Sequence, residues 1–206
     1  MIKKNTYDNK IYWNQYYKSK KIDLPNSDFS KFVLKNIRPK SSLVDIGCGD
    51  GRDTKYFAKN DIFATGVDYS SVVIKKNKQY TNSNLNFKKI DLNNLNSYKN
   101  YFDYGYCRFI FHAINHDLEA VLLNWLKNNI KYKTFIETRI FDSKNEIINQ
   151  NHYRRSFTEK YFEEVLVNNN FKIIYFETSY KFSKYKKIYE VKDLNTDPLV
   201  LRAIIQ

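Results

Sequence analysis

The sequence predicts an α/β fold: a seven-stranded, mostly parallel sheet with its last strand antiparallel, helices on both faces, and further helices at the amino terminus. Two observations predict it. Short apolar runs alternate with stretches of helical period, and three of the five glycines crowd into one loop directly after the first run.

The chain opens with YDNKIYWNQYYKSK (7–20), which has helical character and aromatics on more than one face, so it reads either as a helix buried on one side or as a lid over a ligand. Pro25 and Asn26 interrupt it, and Ser27 is suited to cap a second helix reaching Ile37. The apolar runs that follow, at 42–46, 62–68, 85–91, 101–109, 132–139, 171–178 and 198–205, are too short for buried helices and read as strands. Helical stretches lie between them at 52–59, 71–77, 117–130 and 158–169. Strands that alternate with helices imply a parallel sheet covered on both faces. No convincing helix separates the last two strands, so they are expected to pair as an antiparallel hairpin at one edge. The Asn-rich stretches 92–100 and 144–151 read as loops, and no repeat is visible.

A length of 206 residues suits one domain, expected here over 1–206 with a helical cap at 1–38 and a core at 40–206. Cys48 and Cys107 lie far apart, and the start MIKKNTYDNK lacks the apolar run of a signal peptide, so a reducing, cytoplasmic setting is expected. His112, His116 and His152 show no metal-ligand spacing with either cysteine, and no segment approaches the ~20 apolar residues that span a bilayer. The net charge of +13 raises nucleic acid, an anionic membrane surface or an anionic small molecule as partners. The lysines are dispersed in isolated pairs, however, and heavy joint use of Lys, Asn, Ile and Tyr is a bias that A+T-rich coding can produce unaided. Oligomeric state is not legible.

In an open parallel sheet, ligands bind beyond the carboxyl ends of the strands, where strand order reverses. The loop in that position reads GCGDG, with Gly47, Gly49 and Gly51 leaving the backbone bare for close approach to a ligand. Asp68 ends the next strand about 20 residues on, where an acid can accept both hydroxyls of a ribose. A dinucleotide fold wants a third glycine where Arg52 stands; GxGxG after an hhD strand fits an S-adenosylmethionine site better.

LVDIGCGDGRDTKYFA, GVDYS and IDLNNL resemble, in order and spacing, the motifs of the Rossmann-like class I S-adenosylmethionine-dependent methyltransferases, over roughly residues 40–206. The resemblance implies Asp45, Gly47 and Gly49 around the methionine part of the cofactor, Asp68 at the ribose, and Asp91 with Leu92 at the adenine. Tyr12, Trp13, Cys48, Arg52, Tyr69 and Cys107 complete the expected cofactor contacts, Cys48 as a small filler rather than a nucleophile.

The acceptor side is expected at the end of the fourth strand, which delivers Arg108 and His112 to the same rim. The fifth strand adds Glu137 and Arg139, and NHYRRSF adds His152, Tyr153, Arg154 and Arg155. Four arginines at one rim are costly unless an anion neutralises them or some of them pair with Asp142, Glu163 and Glu164. For an alcohol acceptor, His112 or His152 is the candidate base; for an anionic oxygen no base is needed and the arginines orient it. Arg108 is counted with these histidines as a catalytic candidate. YCRFIFHAI, IETR, HYRR and DPLVLRAII further resemble small methyltransferases of bacterial capsule and surface-polysaccharide gene clusters. That resemblance implies O-methylation of a sugar-linked or phosphate-type acceptor, such as a phosphoramidate, although the stretch DSKNEIINQ after the fifth strand is shorter than is common there. Three rivals stay open. They are a nucleic-acid methyltransferase drawing on the basic surface (though CRFIFH lacks the prolines of a base-methylating motif), a nicotinamide oxidoreductase, and a binding-only protein without turnover.

Overall fold

The computed structural model describes residues 5–19, 24–142, 153–184 and 197–206. Helices α1 (Asn5–Ser19) and α2 (Asp28–Leu34) precede β1 (Ser42–Ile46), α3 (Arg52–Lys59), β2 (Phe63–Asp68), α4 (Ser71–Asn77), β3 (Leu85–Lys89) and β4 (Phe102–Arg108). Then come α5 (His116–Asn129), β5 (Ile130–Arg139), α6 (Glu159–Asn168), β6 (Ile173–Ser179) and β7 (Val200–Ile205). The strands form one seven-stranded sheet in the order β3-β2-β1-β4-β5-β7-β6. Pairings from β3 through to β5 are parallel, whereas β7 runs antiparallel to both β5 and β6.

The last two strands do pair antiparallel, with β7 in the interior and β6 at the edge. Burial explains the order. Every residue of β7 is buried, so it needs neighbours on both sides, while β6 mixes exposed and half-buried positions and tolerates an open side.

Successive residues of a strand face opposite ways, which divides the core in two. Leu43, Tyr106 and Phe135 pack with Phe29, Val33, Phe57 and Val73 from α2, α3 and α4. Val44, Cys107 and Ile136 face the other way, onto Leu122, Trp125, Leu126, Phe162 and Leu166 from α5 and α6. Side-chain caps open several helices: Ser27 accepts from Ser30 N–H, Ser70 from Val73, Asn115 from Leu118 and Thr158 from Tyr161. α2 ends at Leu34, short of the expected Ile37, because the chain tightens there into a turn in which the Asn36 N–H donates to Val33 O at 2.8 Å. The stretch read as an Asn-rich loop holds a 3-10 turn at Leu92–Ser97, capped by Asp91; the other such stretch, 144–151, lies outside the described residues.

Among the described residues, no helix is long and apolar enough to cross a membrane, and no group of His, Cys, Asp and Glu could hold a metal ion.

Candidate functional site

Strand order reverses between β1 and β4, and a cavity of about 340 Å³ opens there beyond the strands' carboxyl ends. Its floor is the glycine loop. Gly47 and Cys48 each donate a backbone N–H to Val67 O, at 2.8 and 3.0 Å, which ties the loop to β2. Gly51, which caps α3, has φ +68°, and a Cβ there would lie 2.6 Å from the Phe87 ring, so a side chain is barred by conformation and by space.

Asp68 closes β2 directly beside this loop. Its carboxylate accepts Gly49 N–H at 3.1 Å and Ser70 N–H at 2.8 Å, while burial pushes its pKa up to about 6 against those bonds. Asp45 is more strongly affected: burial raises it to about 8, and Thr54 donates to it at 2.6 Å. Asp53, in the first turn of α3, accepts from Ser27 N–H at 2.7 Å, Ser27 Oγ at 2.8 Å and Tyr106 Oη at 2.7 Å. Its burial is outweighed by Arg108 and Arg52, which hold it below the usual carboxylate range.

One wall is α1. Lys10 pairs with Asp91, Tyr69 Oη donates to Asn9 O at 2.9 Å, and Ser70 Oγ donates to Asn14 at 2.6 Å. Tyr12, Trp13, Tyr16 and Tyr17 bring four aromatic rings to the cavity, and the Tyr17 hydroxyl sits against Gly49. Burial and the nearby Asp68 keep that hydroxyl protonated.

The opposite end holds the basic groups. Arg108, His112, Arg139 and Arg154 line it, and the Phe109 ring packs under both the Arg108 and Arg139 guanidinium groups, at 4.3 and 5.5 Å. Phe109 has φ +58°, a strained conformation for a residue with a side chain, here placed at the cavity wall. His112 lies in a short 3-10 turn, Phe111–Ala113, where the Arg139 backbone N–H donates to Nδ1 at 3.3 Å. Thr138 Oγ lies 3.2 Å from the same nitrogen.

The cavity therefore gathers the expected Tyr12, Trp13, Asp45, Gly47, Cys48, Gly49, Arg52, Asp68, Tyr69, Asp91 and Leu92, together with Arg108, His112, Arg139 and Arg154. Four expectations need correction. Cys107 points to the opposite face of β4 and is fully buried in the core. Glu137 is buried between two arginines, Arg108 and Arg202, with both oxygens taken. Arg155 turns away and pairs with Glu119 and Tyr161, a partner the sequence did not suggest because it lies 36 positions back on α5. Tyr153 does not line the cavity; its backbone N–H donates to Asn9 at 2.8 Å. His152 lies outside the described residues. Sequence reasoning missed Asp53, Tyr106, Tyr16 and Tyr17. The two tyrosines of α1 could have been found from the helical spacing of Trp13 and Tyr17; the Asp53–Tyr106 contact has no local signal.

A family model described as a methyltransferase domain matches residues 43–128, from β1 through most of α5. A protein of Invertebrate iridescent virus 6 named as a methyltransferase is 37% identical over 84 residues, 37% of this chain and 31% of that protein. The chain thus spans about a third of that relative's length. An uncharacterized methyltransferase of Schizosaccharomyces pombe is 28% identical over 140 residues, 64% of this chain and 90% of the relative. A methyltransferase domain over residues 43–128 is thus what the family model finds in this chain, and the named relatives are methyltransferases too. Solved structures share the fold. One from Anabaena variabilis, an S-adenosylmethionine-dependent methyltransferase, superposes with a TM-score of 0.71 at 19% identity over 97% of this chain and 93% of the other. The 1,6-didemethyltoxoflavin-N1-methyltransferase of Burkholderia thailandensis, solved with its substrate and S-adenosylhomocysteine, gives 0.67 at 18% identity over 86% and 75%.

Proposed function

We propose that the chain is an S-adenosylmethionine-dependent methyltransferase that methylates an oxygen of a small anionic or sugar-linked acceptor, of the kind found among capsule and surface-polysaccharide precursors, with a phosphate-type group as the favoured target. The observation that carries the reading is the basic end of the cavity, where Arg108, Arg139 and Arg154 line the same hollow as the glycine loop. The cavity suits the donor: its floor bars side chains at Gly51, and the buried acids Asp45 and Asp68 line it near the ends of β1 and β2. When bound, the donor supplies a methyl group on sulfonium, open to in-line displacement.

In this reading Gly47, Gly49 and Asp45 take the donor's amino-acid part, Asp68 turns its carboxylate from Gly49 and Ser70 to the ribose, and Asp91 and Leu92 flank the base. Residues 1–38 act as a cap, with Tyr12 and Trp13 covering the donor. The chain's own contribution is alignment and exclusion of water, which together can be worth about 7–11 kcal/mol. Arg108, Arg139 and Arg154 orient the acceptor oxyanion. His112 Nδ1 is engaged by the Arg139 N–H and by Thr138 Oγ, which favours an acceptor that is already anionic and needs no base. The two cysteines, both unpaired and buried, suit a reducing cytoplasm.

Calorimetry tests the donor site: S-adenosylmethionine and S-adenosylhomocysteine bind, NAD does not, and Asp68→Ala weakens both by at least about tenfold, the scale of a lost charge-assisted bond. Tight NAD binding would sink the reading. A panel of phosphorylated and nucleotide-activated sugars with labelled donor tests the acceptor. Methylation confined to neutral alcohols, or unchanged rates in both Arg108→Ala and His112→Ala, would remove the proposed acceptor end.

A further inference from the structure

A row of charges crosses the sheet at one register. Arg108 on β4 is paired with Glu137 on β5, Glu137 with Arg202 on β7, and Arg202 with Glu177 on β6. Cross-strand partners share a face, so the four side chains alternate in sign along one line that ends in the cavity. Arg108 Nε donates to one oxygen of Glu137 at 2.8 Å, and Arg202 Nε donates to the other at 2.8 Å. The Glu137 side chain is 1% exposed and that of Arg202 9%. Arg202 is also covered by the rings of Phe29, Phe32 and Phe182 and donates to Phe182 O at 3.2 Å.

A buried cation, Arg202, and a half-buried one, Arg108, share one buried carboxylate, so the inner row carries one surplus positive charge. Arg202 is enclosed, which leaves that charge to be answered at Arg108. Its Nε is committed to Glu137, whereas among the described residues its two terminal nitrogens make no hydrogen bond, and the side chain lines the cavity. The acids within electrostatic reach do not take those nitrogens. The carboxylate of Asp53 is engaged by Ser27 and Tyr106, and Asp45 is bonded to Thr54. A guanidinium held by its Nε presents its two remaining nitrogens as a fork, the geometry that binds an oxyanion through two parallel bonds.

We infer that the fork of Arg108 is a preorganised oxyanion subsite, and that Glu137, backed by Arg202, is the positioning residue that aims it and touches no ligand. The inference rests on the methyltransferase reading only for the two sources of the oxyanion: the carboxylate of the donor's amino-acid part, or an acidic group of the acceptor.

Three probes separate the sources. S-adenosylhomocysteine carries the carboxylate, 5′-methylthioadenosine lacks it, and inorganic phosphate stands for the acceptor, titrated onto both bare and S-adenosylhomocysteine-loaded protein. The variants are Glu137→Gln and, because removing a buried carboxylate can unfold the chain, Arg108→Lys, which keeps the charge and loses the fork. If the donor supplies the oxyanion, both variants weaken S-adenosylhomocysteine by about tenfold or more and leave 5′-methylthioadenosine within about twofold. If the acceptor supplies it, both nucleosides are unaffected and phosphate binding to the loaded protein falls by a similar factor. Equal losses on all three probes, or no loss on any, overturn the subsite. Wild-type protein that binds neither nucleoside would instead end the donor reading, and phosphate on the bare protein would still test the fork.

Discussion

Asp45 is a carboxyl group in a buried position that, among the described residues, accepts a hydrogen bond from Thr54, and its pKa near 8 has a consequence for stability. Unfolded, the group titrates near an ordinary ~3.9. Between those values the folded chain holds a proton that the unfolded chain has lost, so stability is full below about pH 4 and declines as pH rises through 8. Asp68 adds the same trend up to about pH 6. Denaturant melts of the ligand-free protein between pH 4.5 and 8.5 are therefore expected to lose up to about 1.4 kcal/mol per pH unit from Asp45, and Asp45→Asn to lose that part of the slope. An identical slope in the variant would show that Asp45 ionises normally. At this scale the sequence was informative where chemistry is local: Gly51 and Asp68 were legible because a bare turn and a strand-end acid announce themselves by spacing. Glu137 was misread, since its place at a strand end suggested a ligand contact and its two arginine partners come from other strands.

The elements around the site are held by polar ties more than by apolar contact. Lys10–Asp91, Asn14–Ser70 and Tyr153–Asn9 fasten α1 over the cavity. On the other side, Arg155 joins the segment entering α6 to α5: its guanidinium reaches Glu119 and Tyr161, and its backbone N–H donates to His112 O at 2.7 Å. Neighbouring Arg154 faces the cavity, so this tie also sets the acceptor end. Glu119 is 3% exposed, and neutralising it leaves a half-buried guanidinium without its partner. Glu119→Gln should cost about 3–5 kcal/mol, read from the urea midpoint. A loss below about 1 kcal/mol would mean that the pair behaves as a surface contact. The strand and helix order was readable from periodicity because each element buries one face, a property written in its own residues. The interior place of β7 was not, since it depends on which strands remain unpaired once the parallel part is laid down.

Across the whole molecule, the charge of +13 does not concentrate in the cavity. Among the described residues, five basic ones line it (Lys10, Arg52, Arg108, Arg139 and Arg154) against five acids (Asp45, Asp50, Asp53, Asp68 and Asp91), so the balance there is close to zero even with Asp45 protonated. S-adenosylhomocysteine affinity should accordingly change by less than about threefold between 50 and 500 mM salt, because buried, balanced charges are little screened. A steep log–log slope, equivalent to several phosphate contacts on added RNA or DNA, would favour the nucleic-acid reading instead. By itself the sequence determined the α/β class, the strand and helix ranges, the glycine loop and its companion acid, because these follow from periodicity and from conformations that only certain residues adopt. Tertiary structure alone decided which charges meet: Arg155 with Glu119, Asp53 with Tyr106, and Glu137 between Arg108 and Arg202. Electrostatic and hydrogen-bond energies depend on distance and burial, and both exist only once strands far apart in the chain lie side by side.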